Sequence, residues 1–101
     1  MAALSDLRII DLSTNVAGPF CTKLFADYGA DVVKVESTDG VDEARTLGPF
    51  SSEDENPEAS GMFLYLNTNK RSVTLNLGSE RGKILFRELA GTADVVVESF
   101  P

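Results

Sequence analysis

The chain has 101 residues, 43% of them hydrophobic and 25% charged, and carries a formal net charge of −7. These proportions suit one folded domain, which would bury about two-thirds of its unfolded surface, and they argue against intrinsic disorder. No apolar run nears the roughly 20 residues of a membrane-spanning helix, which excludes that class of partner.

Leu7 to Leu12 is a short apolar run that predicts a first strand. Gly18-Pro19 opens a helix, with proline tolerated in the first turn because its missing N–H has no intrahelical partner there. Phe20, Leu24, Phe25 and Tyr28 form one apolar stripe on a period of about 3.6 residues. Gly29 follows where a left-handed helix cap belongs. Asp31 to Val35 predicts a second strand, with Val32, Val33 and Val35 as its β-branched residues. Residues 37–60 then read as an acidic, solvated surface loop. Glu36, Asp39, Asp42, Glu43, Glu53, Asp54, Glu55 and Glu58 account for the whole net charge, with Arg45 the only base among them. Gly40, Gly48, Pro49, Ser51, Ser52, Asn56 and Pro57 disfavour regular structure there.

Gly61 to Leu66 predicts a short helix ending near Asn67. From Arg71 to Leu77 the chain alternates, Val73, Leu75 and Leu77 on one side and Ser72, Thr74 and Asn76 on the other. That marks a third strand. Ser79 caps a helix over residues 80–90, with Ile84, Leu85 and Leu89 facing inward and Gly91 ending it. Asp94 to Glu98 reads as a buried fourth strand. Strands alternating with helices predict right-handed crossovers and a mainly parallel sheet: an α/β, Rossmann-like, three-layer αβα fold. Ser99-Phe100-Pro101 leave the fourth strand at its carboxyl end, where open α/β sheets bind ligands. The expectation is therefore that residues 1–101 are the N-terminal part of a larger domain.

The absence of histidine removes Ser-His and Cys-His nucleophile pairs and zinc sites built on imidazole. Cys21 stands alone, so no internal disulfide can form, and the N-terminus lacks a signal-peptide pattern; both point to a cytoplasmic location. No basic stripe is available for nucleic acid. The acidic stretch lacks the spacing of an EF-hand loop, and no metal is expected. The turn from Asp11 to Phe20 contains only Gly18 where a dinucleotide fingerprint needs Gly-x-Gly-x-x-Gly, so NAD is not expected either. The helix start offers free N–H groups to an anion or a polar ligand atom, or simply packs the helix on the sheet. Cys21 in its first turn reads as a small buried hydrophobe. Lys70-Arg71 puts two cations where phosphates could sit, or forms a solvated turn before the third strand.

Four stretches taken together resemble the class III CoA-transferase family, also called the carnitine dehydratase / bile-acid-inducible protein F family. They are Leu7 to Thr22, Leu24 to Glu36, Asn67 to Leu77 and Ala93 to Phe100, and they span nearly the whole chain. Ala-Gly-Pro-Phe-Cys, Gly-Ala-Asp-Val-Val-Lys-Val-Glu and Asn-Lys-Arg-Ser-Val carry the likeness. Arg45 with Gly48-Pro49 also fits the family's loop after strand two. The resemblance implies enzymes that move coenzyme A between carboxylic acids through an aspartyl-CoA thioester. It also implies acyl-CoA and carboxylic acids as substrates and an intertwined homodimer. The family's nucleophilic aspartate lies downstream of these segments, so no residue here is assigned a catalytic role and the chain alone is expected to be inactive.

By the same resemblance Asn15, Val16 and Ala17 line the CoA pocket, Leu75 and Leu77 lie near the adenine end, and Ser99 and Phe100 follow strand four. Lys70 and Arg71 match the start of strand three in the family, in a binding or a structural role. Two positions depart from the pattern. Val16 stands where a formyl-CoA transferase type has glutamine, and Ser37 where many members have arginine, which puts formyl-CoA specificity in question. Racemases of α-methylacyl-CoA belong to the same family and shorten the loop between strands two and three. The longer form here, residues 37–60, favours a transferase. A non-catalytic CoA- or nucleotide-binding interaction module is the rival from another class.

Overall fold

The computed structural model describes residues 2–40, 42–50 and 55–100. Among the described residues four segments form strands: β1 (Arg8–Asp11), β2 (Asp31–Ser37), β3 (Arg71–Leu75) and β4 (Val95–Val97). Three form α-helices: α1 (Ala17–Asp27), α2 (Gly61–Leu66) and α3 (Glu80–Ala90). The strands make one parallel sheet in the order β3-β2-β1-β4, with Ile10 opposite Val33 on one side and Val96 on the other. The chain winds outward from β1 to β3, then returns to place β4 on the far side of β1. That reversal makes the sheet doubly wound.

Alternation along β1 and β2 divides the core between the two faces. Ile9 and Val32 pack with Ala26 of α1 and Ala30. Ile10, Val33 and Val35 pack on the opposite face against Phe86 and Leu89 of α3. The result is the expected α/β layering, with α1 and α3 on opposite faces.

The helices meet the sheet through other residues than their apolar stripes predict. α1 buries Pro19, Thr22 and Ala26, small residues that let its backbone approach the strands. The bulky Phe20, Leu24, Phe25 and Tyr28 are left exposed, and so is Cys21. In α3 the buried residue is Gly82. A Cβ there would lie 1.8 Å from the Asn76 carbonyl oxygen, so this approach fixes how the helix is rotated. Phe86 and Leu89 turn inward, while Ile84 (52% exposed) and Leu85 do not.

β4 is not the buried strand expected: Val95 and Val96 are 43% and 45% exposed. Among the described residues it has β1 as its only sheet neighbour, and an edge strand cannot be covered on all sides by one partner. Gly29 adopts the predicted left-handed conformation, with φ of +104°, whereas Gly91 ends α3 at φ −62°.

Most described residues of the stretch after β2 are exposed, and it is anchored at Asp42, Ala44 and Ser60, which are buried. Lys34 and Glu36, alternate residues of β2, each grip it. Lys34 Nζ lies 3.0 Å from Asp42 Oδ2, and Arg45 donates to both Glu36 carboxylate oxygens at 2.7 and 3.0 Å. The Arg45 guanidinium also stacks on Phe63, 3.6 Å from the ring centre. Beneath it Ala44, Phe63 and Leu66 form a small separate core. Ser60 closes the arrangement by capping α2 through Phe63 N–H and donating to the Ala44 carbonyl at 2.8 Å. Two charged side chains of β2 thus pin an otherwise exposed loop to the sheet at its few buried points. Glu53 and Asp54 of the acidic stretch lie outside the described residues.

Candidate functional site

The turn between β1 and α1, at the carboxyl end of β1, is built on a buried carboxylate. Asp11 ends β1, is fully buried, and accepts hydrogen bonds from the Ser13 N–H (2.9 Å), the Ser13 hydroxyl and Thr22 Oγ1 of α1 (2.7 Å). Lys70, just ahead of β3, donates to the same carboxylate at 2.9 Å. It also donates to the Pro19 carbonyl (3.0 Å) and to Asn67 Oδ1 (2.7 Å). Burial pushes the Asp11 carboxyl up. The Ser13 and Thr22 hydrogen bonds and the Lys70 ammonium outweigh it and hold the group below the usual carboxylate range. Burial also dominates at Lys70, lowering its affinity for the proton despite Asp11.

A second buried pair lies beside the first. Lys34 Nζ donates to the Ser13 carbonyl at 2.9 Å and pairs with Asp42, both side chains being 2% exposed. Asp42 Oδ1 accepts from the Asn15 N–H (2.9 Å) and the Ala44 N–H (3.0 Å). Asn15 sits in the left-handed region at φ +67°, where asparagine is tolerated better than most residues. Gly18 is required by contact: a Cβ at that position would fall 2.2 Å from Ser13 Cβ. On the other side of the turn, the Thr14 N–H donates to Ser99 Oγ at 3.1 Å, joining β1 to the chain beyond β4.

Above this network lies a cleft of about 260 Å³ at the carboxyl ends of the strands. Leu12, Val35, Leu77 and Phe100 give it an apolar wall, and Glu36, Asp39 and Asp42 an acidic one, with Thr14 also in the lining. Among the described residues Lys34 is the one cation in its lining, and it is paired with Asp42. Such a space takes part of a ligand rather than a whole cofactor, since complete small-molecule sites run from about 300 to 1,000 Å³. Among the described residues, no group of three or more carboxylate, thiol or imidazole side chains is placed to hold a metal ion. No helix of the described residues is long and apolar enough to cross a membrane.

The residues singled out from sequence divide between this edge and elsewhere. Leu77 and Phe100 line the cleft, Ser99 is bonded to its rim, and Asn15, Val16 and Ala17 form the exposed turn beside it. Leu75 packs into the core under α3. Lys70 is buried against Asp11. Arg71 lies at the amino edge of the sheet, donating to both Asp31 oxygens at 2.8 and 3.0 Å. Neither cation is available to a phosphate in the cleft. Asp11, Lys34 and Asp42 were not singled out by sequence reasoning. For Asp11 and Lys34 the signal is a charge inside an apolar strand, as in Val33-Lys34-Val35, because a buried charge needs a partner; Asp42, in the loop, carries no such signal.

A doubly wound parallel sheet with helices on both faces is a Rossmann-type α/β unit. The chain belongs to CoA-transferase family III, whose model matches residues 4–101. It is 49% identical over 100 residues to succinyl-CoA:mesaconate CoA-transferase of Haloarcula marismortui, covering 99% of this chain and 25% of that protein. Against succinyl-CoA:glutarate CoA-transferase of Mus musculus the identity is 40% over 100 residues, covering 99% and 22%. Among solved structures, a CAIB/BAIF family protein from Brucella suis superposes with a TM-score of 0.84 at 40% identity, over 98% of this chain and 26% of that one. The chain thus spans about a quarter of the length of the relatives it matches.

Proposed function

We propose that these residues form the N-terminal part of an enzyme that transfers coenzyme A between carboxylic acids, supplying one wall of its CoA site. The observation that carries this reading is that Leu77 and Phe100 line the cleft, with Ser99 accepting a hydrogen bond from Thr14 of the same lining, in a chain of this family. In the proposed chemistry a carboxylate attacks the thioester carbonyl and expels CoA thiolate, leaving an anhydride that keeps the acyl group activated. The thiolate then attacks the enzyme's side of that anhydride, which yields the aspartyl-CoA thioester and frees the first acid.

The nucleophile belongs to polypeptide outside these residues. Asp11 and Asp42 are both buried, hydrogen-bonded and paired with lysine, the opposite of a carboxylate free to attack. The acidic cleft wall favours the neutral parts of CoA, and the phosphates are neutralised by groups other than Lys70 and Arg71. The names of the relatives support succinyl-CoA as donor and a dicarboxylate such as mesaconate or glutarate as acceptor. Assembly as a homodimer belongs to the same reading, supported by the apolar outer face of α1. A cytoplasmic location is supported by the single cysteine.

The test is CoA exchange from succinyl-CoA to mesaconate, glutarate or malate, read by mass spectrometry. Exchange by the protein that carries this segment is expected, and its absence with every acceptor overturns the reading. Turnover by the 101 residues alone overturns the placement of the nucleophile elsewhere.

A further inference from the structure

We propose that Asp42 is a positioning residue for the acyl-CoA substrate, acting through Asn15; the role rests on the CoA-transferase reading. Asn15 is held in the left-handed region, a conformation that persists in a residue with a side chain only where its surroundings fix it. The fixing group is Asp42 Oδ1, which accepts the Asn15 N–H and, from its own loop, the Ala44 N–H. The other carboxylate oxygen lies 3.0 Å from Lys34 Nζ and, among the described residues, has no aligned donor, while Lys34 donates to the Ser13 carbonyl. The turn is therefore gripped at Ser13 and Asn15 by a pair anchored on β2.

The next two residues, Val16 and Ala17, are exposed and start α1 with no side-chain cap. The backbone conformation of Asn15 thus sets how that start is joined to Thr14, which lines the cleft together with Asp42. Simple stability is a poor account of this arrangement. A buried ion pair contributes little over a well-packed apolar pair, and its better-attested use is to fix one geometry among several.

Two double variants isolate the acceptor from the charge: K34M/D42N and K34M/D42L. Both remove the ion pair and the Lys34 bond to Ser13, but only the first keeps an oxygen for the Asn15 and Ala44 N–H groups. In the protein that carries this segment, K34M/D42L is expected to raise the KM for succinyl-CoA about tenfold over K34M/D42N. The KM for the dicarboxylate should be equal in the two. If the two variants share one succinyl-CoA KM, or if only kcat separates them, the positioning role is overturned, even where their melting temperatures differ. If K34M/D42L does not fold, Asn15→Val carries the test, since a β-branched side chain resists the left-handed region while the buried pair stays intact. An unchanged succinyl-CoA KM in that variant overturns the role. Absence of both CoA exchange and CoA binding in the unaltered protein overturns the CoA-transferase reading and this role with it.

Discussion

Lys34 and Lys70 show how differently a cation reads in sequence and in a fold. A lysine inside Val33-Lys34-Val35 looks like an interruption, and one in Asn69-Lys70-Arg71 like an offer to a phosphate. Both ammonium groups are instead committed inside the protein, to Asp42 and to Asp11. Removing one member of such a pair leaves a buried charge without a counter-ion. Asp11→Asn should therefore cost about 3 kcal/mol in urea denaturation. Asp11→Leu combined with Lys70→Met should recover much of that loss, because the charge goes with its partner. The same carboxylate governs acid stability. Asp11 and Asp31 bind protons more weakly folded than unfolded: burial raises both, but hydrogen bonds and neighbouring cations overcome it. Their stabilisation is complete above the unfolded carboxylate value of about 3.9 and is lost as pH falls through the lower folded values. Stability should fall steeply below about pH 4, with a shallower slope in Asp11→Asn. A profile unaltered by that substitution would contradict the assignment.

Most elements were legible in the sequence because each strand and helix of the winding unit carries its own periodicity and its own stop signal. Ser79 caps α3 through the Gly82 N–H at 3.0 Å, and Asn67 ends α2, both where the sequence places them. What periodicity could not convey is which face meets the sheet. In α1 the face is chosen by Gly18, Thr22 and Ala26, whose small size lets the backbone approach, and not by the large apolar residues. Gly18→Ala is expected to cost about 1–3 kcal/mol in a thermal or urea melt, since the new methyl overlaps Ser13 Cβ and neither backbone can yield easily. The folding of the loop after β2 was equally hidden, because Arg45 and Glu36 meet only once β2 has placed its alternate residues. Arg45→Lys keeps the charge but loses the two-point grip on Glu36 and the stacking on Phe63. Faster amide hydrogen exchange at Ala44 and Leu47 should follow, with the strand β1 amides unaffected. Of the positions the sequence singles out, Leu77 and Phe100 line the cleft, while the buried Asp11 and Asp42 pairs appear only when distant segments are brought together.

At the scale of the whole molecule, apolar surface lies exposed in several places. The outer face of α1 shows Phe20, Leu24 and Tyr28, α3 shows Ile84 and Leu85, and β4 shows Val95 and Val96. An edge strand with exposed valines also presents N–H and C=O groups able to pair with another strand. Residues 1–101 by themselves should therefore self-associate with rising concentration in sedimentation velocity, through β4 and the apolar helix faces. Val96→Lys places a charge on that edge without touching the Asp11 or Asp42 networks, and it should shift the distribution toward monomer. The same substitution in the protein that carries this segment tests what covers the strand there. If β4 is an inner strand in that protein, lysine is forced into a covered position and the melting temperature drops. If β4 stays an edge, the substitution changes little. A chain that remains monomeric at every concentration, with or without Val96→Lys, would show that these faces tolerate water and that the sheet needs no further neighbour.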